Sequence, residues 1–234
     1  MMLQKIKSNI PNAITSMNLF SGAMACVAAF HGQELLVGSL TGTQTAFLFI
    51  ALSAVFDFFD GFAARLLHVV SGIGKELDSL SDSVSFGLAP ALILLNVMQQ
   101  NGVTGVLPFV ALIIPVFGAL RLAKFNLDTN QGEVFTGLPI PANAIFWIGF
   151  ADYYVAHPEL NVWVVVALVV ALSVLMVCSL RLFSLKVHGI GLRTSYRQWL
   201  ILVAAVVLVL TMGLPGLSCV IAAYVVLSVV TRVK

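Results

Sequence analysis

Eight apolar segments, each long enough to cross a lipid bilayer as a helix, follow one another along this chain. A hydrocarbon core of about 30 Å requires roughly 17 to 25 apolar residues in a helix. With 60% hydrophobic and only 9% charged residues, the chain has too little polar surface for a soluble globule. The segments cover 10–31, 44–67, 78–99, 103–124, 137–156, 160–182, 196–212 and 214–232. The sequence therefore predicts an all-α, polytopic membrane bundle of about eight transmembrane helices.

The basic residues provide an independent test of this topology, because cytoplasmic loops collect lysine and arginine. All 12 basic residues fall at alternate ends of the eight spans, and therefore on one side of the membrane. They are Lys5, Lys7, Arg65, Lys75, Arg121, Lys124, Arg181, Lys186, Arg193, Arg197, Arg232 and Lys234. We expect an integral protein of the cytoplasmic (inner) membrane with both termini in the cytoplasm. Because no repeat or change of composition divides the chain, we expect one membrane domain over 1–234.

Composition also excludes other classes of site. The three cysteines lie inside apolar runs without a C-x-x-C motif or a histidine at ligand spacing, so neither disulfides nor a zinc site is expected. A net charge of +2, without a basic run that contains aromatic residues, argues against a nucleic-acid partner. The basic segment 181–197 is explained equally well as a topology anchor or as a surface that gathers anionic lipid.

Four aspartates stand out in a chain with so few charges. Asp57 and Asp60 are three residues apart, and Asp78 and Asp82 are four apart, so each pair lies on one face of its helix. The basic connection between the two helices places both pairs near the cytoplasmic side. A charge inside a bilayer costs at least about 2.5 kcal/mol, and four like charges also repel each other. Something must neutralise them.

Two divalent cations would do so, because Mg²⁺ and Mn²⁺ prefer carboxylate oxygens as ligands. Helix-end aspartates can also cap a helix or face water, but paired spacing with glycines and Arg65 between the pairs favours a site. A two-metal site commonly binds phosphates. The guanidinium of Arg65 suits a phosphate, since it can form two parallel hydrogen bonds with one.

The same stretch resembles the signature of the CDP-alcohol phosphatidyltransferases, D-x-x-D-G-x-x-A-R-x8-G-x-x-x-D-x-x-x-D. All eight fixed positions match, and they are Asp57, Asp60, Gly61, Ala64, Arg65, Gly74, Asp78 and Asp82. The resemblance implies an intramembrane enzyme that transfers a phosphatidyl group from a CDP-lipid to an alcohol, releases CMP and uses divalent metal. It also implies a family core at about 1–183, additional helices at about 196–232, and a homodimer.

Roles carried over from this resemblance are expectations for individual residues. Asp57, Asp60 and Asp78 are expected to bind metal, and Asp82 to act as general base while facing a second ion. The positions that match CDP-contacting residues are Gly61, Ala64, Arg65 and Gly74. Thr15 and Asn18, near the start of the first helix, could reach the cytidine or a phosphate, or could bond helix to helix.

The acceptor alcohol must be inferred from other segments. PNAITSMNLFSG, DSLSDSVSFGLAP, GALRLAKFN and GLPIPA resemble the phosphatidylserine synthase branch of the family, over roughly the first 145 residues. This resemblance implies CDP-diacylglycerol and L-serine as substrates. A site for serine should offer a cation to its carboxylate, and Arg121, Lys124 and Asn126 stand on the side of the aspartates. Arg121 is the candidate for the serine carboxylate or a lipid phosphate, whereas a snorkelling membrane anchor is the alternative for both basic residues.

Three other functions fit the sequence less well. Glycerol 3-phosphate or inositol phosphate as acceptor would require a denser basic cluster than Arg121 and Lys124 supply. Intramembrane prenyltransferases typically use two aspartate clusters about a hundred residues apart, whereas this sequence has one. A cation transporter would place its carboxylates near the middle of the membrane, often within inverted repeats, and neither feature occurs here.

Overall fold

The computed structural model describes residues 2–69, 72–127, 134–183 and 196–231. Over these ranges the chain forms eight helical segments with two short antiparallel strand pairings, which confirms the all-α prediction. Four of the basic residues that carried the topology argument, namely Lys186, Arg193, Arg232 and Lys234, lie outside the described residues, as does most of the basic segment 181–197. The chain folds as two compact units, 1–123 and 124–234.

The first unit contains the predicted aspartate site. Its helices are α1 (Met2–Ala29), α2 (Gly42–Leu66), α3 (Gly72–Asp82), α4 (Ala89–Gln100) and the first part of α5 (Ile113–Leu127). A π-helical turn, Ser83–Leu88, joins α3 to α4, so that Gly72–Gln100 forms one continuous helix. A 3₁₀ segment, Leu107–Leu112, leads into α5.

A tight connection folds α2 back along α1. Two short antiparallel strands, β1 (Leu35–Val37) and β2 (Leu40–Thr41), reverse the chain direction. Thr41 then caps α2 because its hydroxyl accepts from the Gln44 N–H at 3.2 Å, and the Gln44 side chain accepts from the Thr41 N–H at 3.1 Å. Such a reciprocal box satisfies backbone donors that the first turn of a helix leaves open.

Helix α1 is held by serine hydroxyls from its neighbours. Ser53 of α2 donates to the carbonyl of Asn18 at 3.2 Å, and Ser81 of α3 donates to the carbonyl of Thr15 at 3.1 Å. In the opposite direction, Ser21 of α1 donates to the carbonyl of Phe49 at 2.8 Å. Small hydroxyl side chains allow close helix packing and add hydrogen bonds between membrane helices. These bonds fix α1 against both aspartate-bearing helices.

Gly22 lies where α1 packs closely against Ser85 of the π-helical turn. A Cβ atom added at Gly22 would lie 2.8 Å from the Cα of Ser85, a distance that real Cβ atoms essentially never show. We expect Gly22→Ala to reduce the free energy of unfolding by roughly 1–3 kcal/mol, because overpacking forces the backbone apart. Thermal unfolding in detergent would measure the loss. Gly72→Ala is the matched control, since a Cβ there meets no atom within 4 Å. Equal midpoints for the two variants would contradict the prediction.

The second unit packs α6 (Ile140–Ala156) and α8 (Tyr196–Met212) against α9 (Gly216–Val230). Helix α7 (Val162–Val177) precedes β4 (Arg181–Phe183), which pairs antiparallel with β3 (Val134–Thr136). Gly149 brings α6 close to Ser218, whose hydroxyl donates to the carbonyl of Phe146 at 2.7 Å. The Tyr224 hydroxyl donates to the carbonyl of Phe183 at 2.8 Å, which ties α9 to β4.

Each predicted span corresponds to a helix, but several boundaries differ, and α1 begins at Met2 rather than at 10. The prediction that 178–182 continues a helix was wrong, because α7 ends at Val177 and the chain then pairs as β4 with β3. Helix α3 begins at Gly72 rather than 78, because its first turns are polar and hydropathy does not detect them. The segment 103–106 is not helical, and its Gly105 has a φ of 70°.

Helix length and composition agree with a membrane protein. Among the residues that the structure describes, three helices are long and apolar enough to cross a bilayer, and they are Gly42–Leu66, Gly72–Gln100 and Leu107–Leu127. Three shorter apolar helices, α7, α8 and α9, follow in the second unit. Large hydrophobic side chains such as Phe20, Val55 and Leu210 are exposed on the helices, as is usual for surfaces that face lipid.

Candidate active site

The carboxylates of α2 and α3 converge in the first unit. One oxygen from each of Asp57, Asp60 and Asp78 lies within 4.8 Å of the other two. Asp82, one turn beyond Asp78 on α3, is close enough to interact electrostatically with all three. The predicted helix faces therefore meet, and they form a group of three carboxylates with a fourth beside it.

This acidic group is partly withdrawn from solvent. Asp60 and Asp82 are 6% and 8% exposed. The Oδ2 atom of Asp60 and the Oδ1 atom of Asp82 make no hydrogen bond with any residue that the structure describes. Buried charged oxygens without partners are costly, so the group is suited to a cation.

The geometry of the three carboxylates fits a divalent metal ion. In octahedral coordination at about 2.1 Å from Mg²⁺, adjacent oxygens lie about 3 Å apart and opposite ones about 4.2 Å apart, so the three carboxylates, now within 4.8 Å of one another, would move closer together to coordinate one ion. Oxygen donors are also those that Mg²⁺ and Mn²⁺ prefer. Asp57, Asp60 and Asp78 can therefore bind a divalent metal.

A cavity of about 470 Å³ opens beside the acidic group. Four predicted CDP-binding positions, Gly61, Ala64, Arg65 and Gly74, line this cavity. Asp60, Asp78 and Thr15 line it as well, and the Thr15 side chain contacts Asp60 while its hydroxyl donates to the carbonyl of Pro11 at 3.0 Å. Six of the eight signature positions thus line one cavity, whereas Asp57 and Asp82 are not among its lining residues.

Arg65 contributes the cation on the α2 side of this cavity. Its side chain is exposed, and a Cβ added at Gly61 would lie 3.6 Å from a guanidinium nitrogen. The absence of a side chain at Gly61 keeps the face of the guanidinium accessible. A phosphate in the cavity would therefore meet a guanidinium on one side and the carboxylates, with any bound metal, on the other.

Sequence reasoning missed five residues that line the cavity, namely Pro11, Asn12, His68, Val69 and Lys75. Asn12 could have been found, because it lies three residues before Thr15 and therefore on the same helix face. His68 gave no such signal. It follows the end of α2 with a φ of 51°, a left-handed conformation that its sequence context does not indicate.

Asn18 has a different environment from the one expected for a CDP contact. It is fully buried, is not among the residues that line the cavity, and contacts Asp82 with its side chain. Ser85, in the π-helical turn, donates to its Oδ1 atom at 2.8 Å. Asn18 therefore contacts an aspartate of the site without lining the cavity.

The three residues expected near the serine carboxylate are all on α5. Arg121 is buried and belongs to the first unit, but it does not line the cavity. Lys124 and Asn126 belong to the second unit, where Lys124 is exposed and donates from Nζ to the carbonyl of Val177 at 3.2 Å. A backbone carbonyl thus already accepts a hydrogen bond from Lys124.

The sequence of this chain was compared with models of known protein families. The model of the CDP-alcohol phosphatidyltransferase family matches residues 8–174. That range includes every signature position and the residues of α1, α2 and α3 that line the cavity.

Named relatives show the same likeness. A CDP-diacylglycerol–serine O-phosphatidyltransferase of Methanocaldococcus jannaschii is 43% identical over 119 residues, or 51% of this chain and 56% of the relative. One from Mycobacterium bovis is 31% identical over 207 residues, which cover 84% of this chain and 68% of the relative. An archaetidylserine synthase of Methanothermobacter thermautotrophicus is 31% identical over 190 residues, covering 80% and 73%. The match thus spans little more than half the length of the Methanocaldococcus relative.

Proposed function

The chain belongs to the CDP-alcohol phosphatidyltransferase family, and on that premise we propose that it transfers the phosphatidyl group of CDP-diacylglycerol to the hydroxyl of L-serine. The products are phosphatidylserine and CMP. One observation carries the proposal, namely that six of the eight signature positions, on two helices, line one cavity beside the three clustered carboxylates. The names of the relatives support serine as acceptor, since serine is common to the phosphatidylserine and archaetidylserine enzymes.

In the proposed reaction Asp82 is the general base. Its carboxylate takes the proton of the serine hydroxyl, and the serine oxygen attacks the phosphorus that carries diacylglycerol, in line with the departing CMP. A phosphorus–oxygen bond to serine forms as the bond to CMP breaks, and the proton remains on Asp82 until it passes to water. The Oδ1 atom of Asp82 makes no hydrogen bond with any described residue, so the carboxylate retains acceptor capacity.

The other signature residues hold the CDP-lipid. We assign the diphosphate to Arg65, whose guanidinium can bind two oxygens at once, and the close approach of the nucleotide to Gly61, Ala64 and Gly74. Asp57, Asp60 and Asp78 would hold a first Mg²⁺ or Mn²⁺ ion, and Asp82 would face a second. When bound, the metal offsets negative charge on the diphosphate and on the leaving CMP.

The membrane context of the site is part of the same proposal. Arg65 and Lys75 flank the connection between α2 and α3 and line the cavity. Because basic residues are retained on the cytoplasmic side, the cavity would open to the cytoplasm, where serine is available. We further propose the inner membrane as location, cytoplasmic termini, a homodimer, and contacts with surrounding lipid.

The test is CMP release by purified protein in liposomes that contain CDP-diacylglycerol, with Mg²⁺ or Mn²⁺. Parallel reactions contain L-serine, glycerol 3-phosphate, inositol phosphate or no acceptor. Release only with serine, accompanied by phosphatidylserine, is the expected result. Release with a different alcohol would retain the chemistry and refute the serine assignment, and absence of release with all of them would refute the transferase assignment.

Arg121 offers a test of serine binding. We expect Arg121→Ala to raise the KM for serine by about tenfold or more, since a charge-assisted hydrogen bond contributes roughly 1.5–3 kcal/mol. The KM for CDP-diacylglycerol should change little. Lys124→Ala, one turn further along α5, is the matched control, because its ammonium binds a backbone carbonyl instead. An unchanged KM for serine in Arg121→Ala would make the carboxylate assignment untenable.

A further inference from the structure

Asn18 and Asp82 form a buried contact between α1 and α3 that the proposed reaction does not yet explain. Asn18 is 0% exposed and Asp82 8% exposed. Their side chains are in contact, but the Nδ2 atom of Asn18 and the Oδ1 atom of Asp82 make no hydrogen bond of ordinary geometry with any described residue. A buried amide donor thus lies beside a buried carboxylate acceptor.

Ser85 determines which end of the Asn18 amide faces Asp82. Its hydroxyl donates to Oδ1 of Asn18 at 2.8 Å and lies 3.2 Å from the carbonyl oxygen of the same residue. With Oδ1 engaged by Ser85, the Nδ2 end of the amide is directed towards Asp82. The opposite orientation would place an amide oxygen against a carboxylate, which is repulsive.

The π-helical turn explains how Ser85 reaches Asn18. Directly after Ser83–Leu88, the Ala89 N–H donates to the carbonyl of Val84, five residues back. The helix is therefore wider here than an α-helix. Gly22 leaves room on α1 for this wider turn. Such single-turn π segments often occur at functional sites. Here the widened turn begins directly after Asp82.

We infer that Asn18 is a positioning residue for Asp82, oriented by Ser85. Its Nδ2 group donates to one carboxylate oxygen and holds the other towards the acceptor hydroxyl. Catalytic hydrogen bonds are often long without substrate and shorten when it binds, which fits the present contact. The inference rests on the proposed function, because it assumes that Asp82 is the general base.

Two neighbouring serines provide control variants that distinguish this role from helix packing. Ser81 is as deeply buried as Ser85 and also joins the Gly72–Gln100 helix to α1, but its hydroxyl donates to the carbonyl of Thr15 rather than to Asn18. Ser53 bonds the carbonyl of Asn18 itself and does not engage its side chain. Ser81→Ala and Ser53→Ala therefore remove equivalent interhelical bonds without freeing the amide of Asn18.

The experiment measures turnover per CDP-lipid binding site for the full chain in liposomes. Binding of labelled CDP-diacylglycerol gives the number of competent sites, and CMP release with serine gives kcat and KM. We expect Asn18→Leu, which keeps the approximate volume, to reduce kcat by about 10- to 100-fold with the KM for CDP-diacylglycerol within about twofold. Ser85→Ala should reduce kcat by about five- to tenfold, which is the range of a lost neutral hydrogen bond.

Asn18→Asp is a second test, because a loss of helix packing alone would not produce the fall in kcat that we expect for this variant. It keeps an oxygen for Ser85 but replaces the Nδ2 donor by an acceptor, so kcat should fall at least as far as in Asn18→Leu. Normal kcat per site in Asn18→Leu, or equal losses in Ser85→Ala and Ser81→Ala, would overturn the inference. If wild-type protein used another alcohol, the same ratios would be measured with that alcohol. If it used none, the proposed function and this inference would both be refuted.

Discussion

Asp82→Asn is expected to reduce turnover by about 10²- to 10⁴-fold, the usual contribution of a general base. The substituted amide has nearly the same shape but cannot accept the proton of the serine hydroxyl. Asp82 also lies beside the group formed by Asp57, Asp60 and Asp78 rather than within it. Binding of CDP-diacylglycerol should therefore remain largely intact. CMP release and binding of labelled CDP-lipid, measured on the same preparation, check both parts of this result.

Asp152→Asn is the matched control for this change. Asp152 is a half-buried aspartate of α6, in the second unit, and it is not part of the acidic group. Its substitution tests the effect of replacing a carboxylate by an amide in a membrane helix, and turnover should remain near wild type. Turnover within about tenfold of wild type in Asp82→Asn would contradict the role of base. Loss of CDP-lipid binding would instead make Asp82 mainly a structural residue.

The acidic group was predictable because helical spacing alone determines which residues share a face. Asp57 with Asp60, and Asp78 with Asp82, are one turn apart, and polarity placed both pairs near the same side of the membrane. The structure brings three of these carboxylates within 4.8 Å and lines one cavity with Gly61, Ala64, Arg65 and Gly74. For these residues, local periodicity and the matched signature were sufficient.

The surroundings of Asp82 were not predictable in the same way. The orientation of Asn18 depends on Ser85, 67 residues away in sequence, and on a helix that widens for a single turn. Neither the hydropathy of this segment nor its helical period indicates a π turn. The same limit applies to β3 and β4, which are three residues each and pair across more than forty residues. These features depend on contacts between residues far apart in sequence, and the local sequence does not indicate such contacts.

Removal of divalent metal is expected to abolish CMP release, and Asp57→Asn should raise the metal concentration required for half-maximal activity by about tenfold or more. Asp57 supplies one of three clustered oxygens, and even outer-shell partners of a metal ligand change affinity by about 10–100-fold. Activity lost on treatment with a chelator should return with Mg²⁺ or Mn²⁺. Titration of each ion into chelator-treated wild type and Asp57→Asn measures the change.

The size of this effect should depend on which carboxylate is removed. Asp60→Asn should raise the required metal concentration as Asp57→Asn does, because both residues belong to the group within 4.8 Å. Asp152→Asn, outside the group, should leave it unchanged. Asp82→Asn should differ from both, with a low maximal rate that added metal does not restore, because the missing function is a proton acceptor. An unchanged metal requirement in Asp57→Asn and Asp60→Asn would exclude the three-carboxylate group as the metal site.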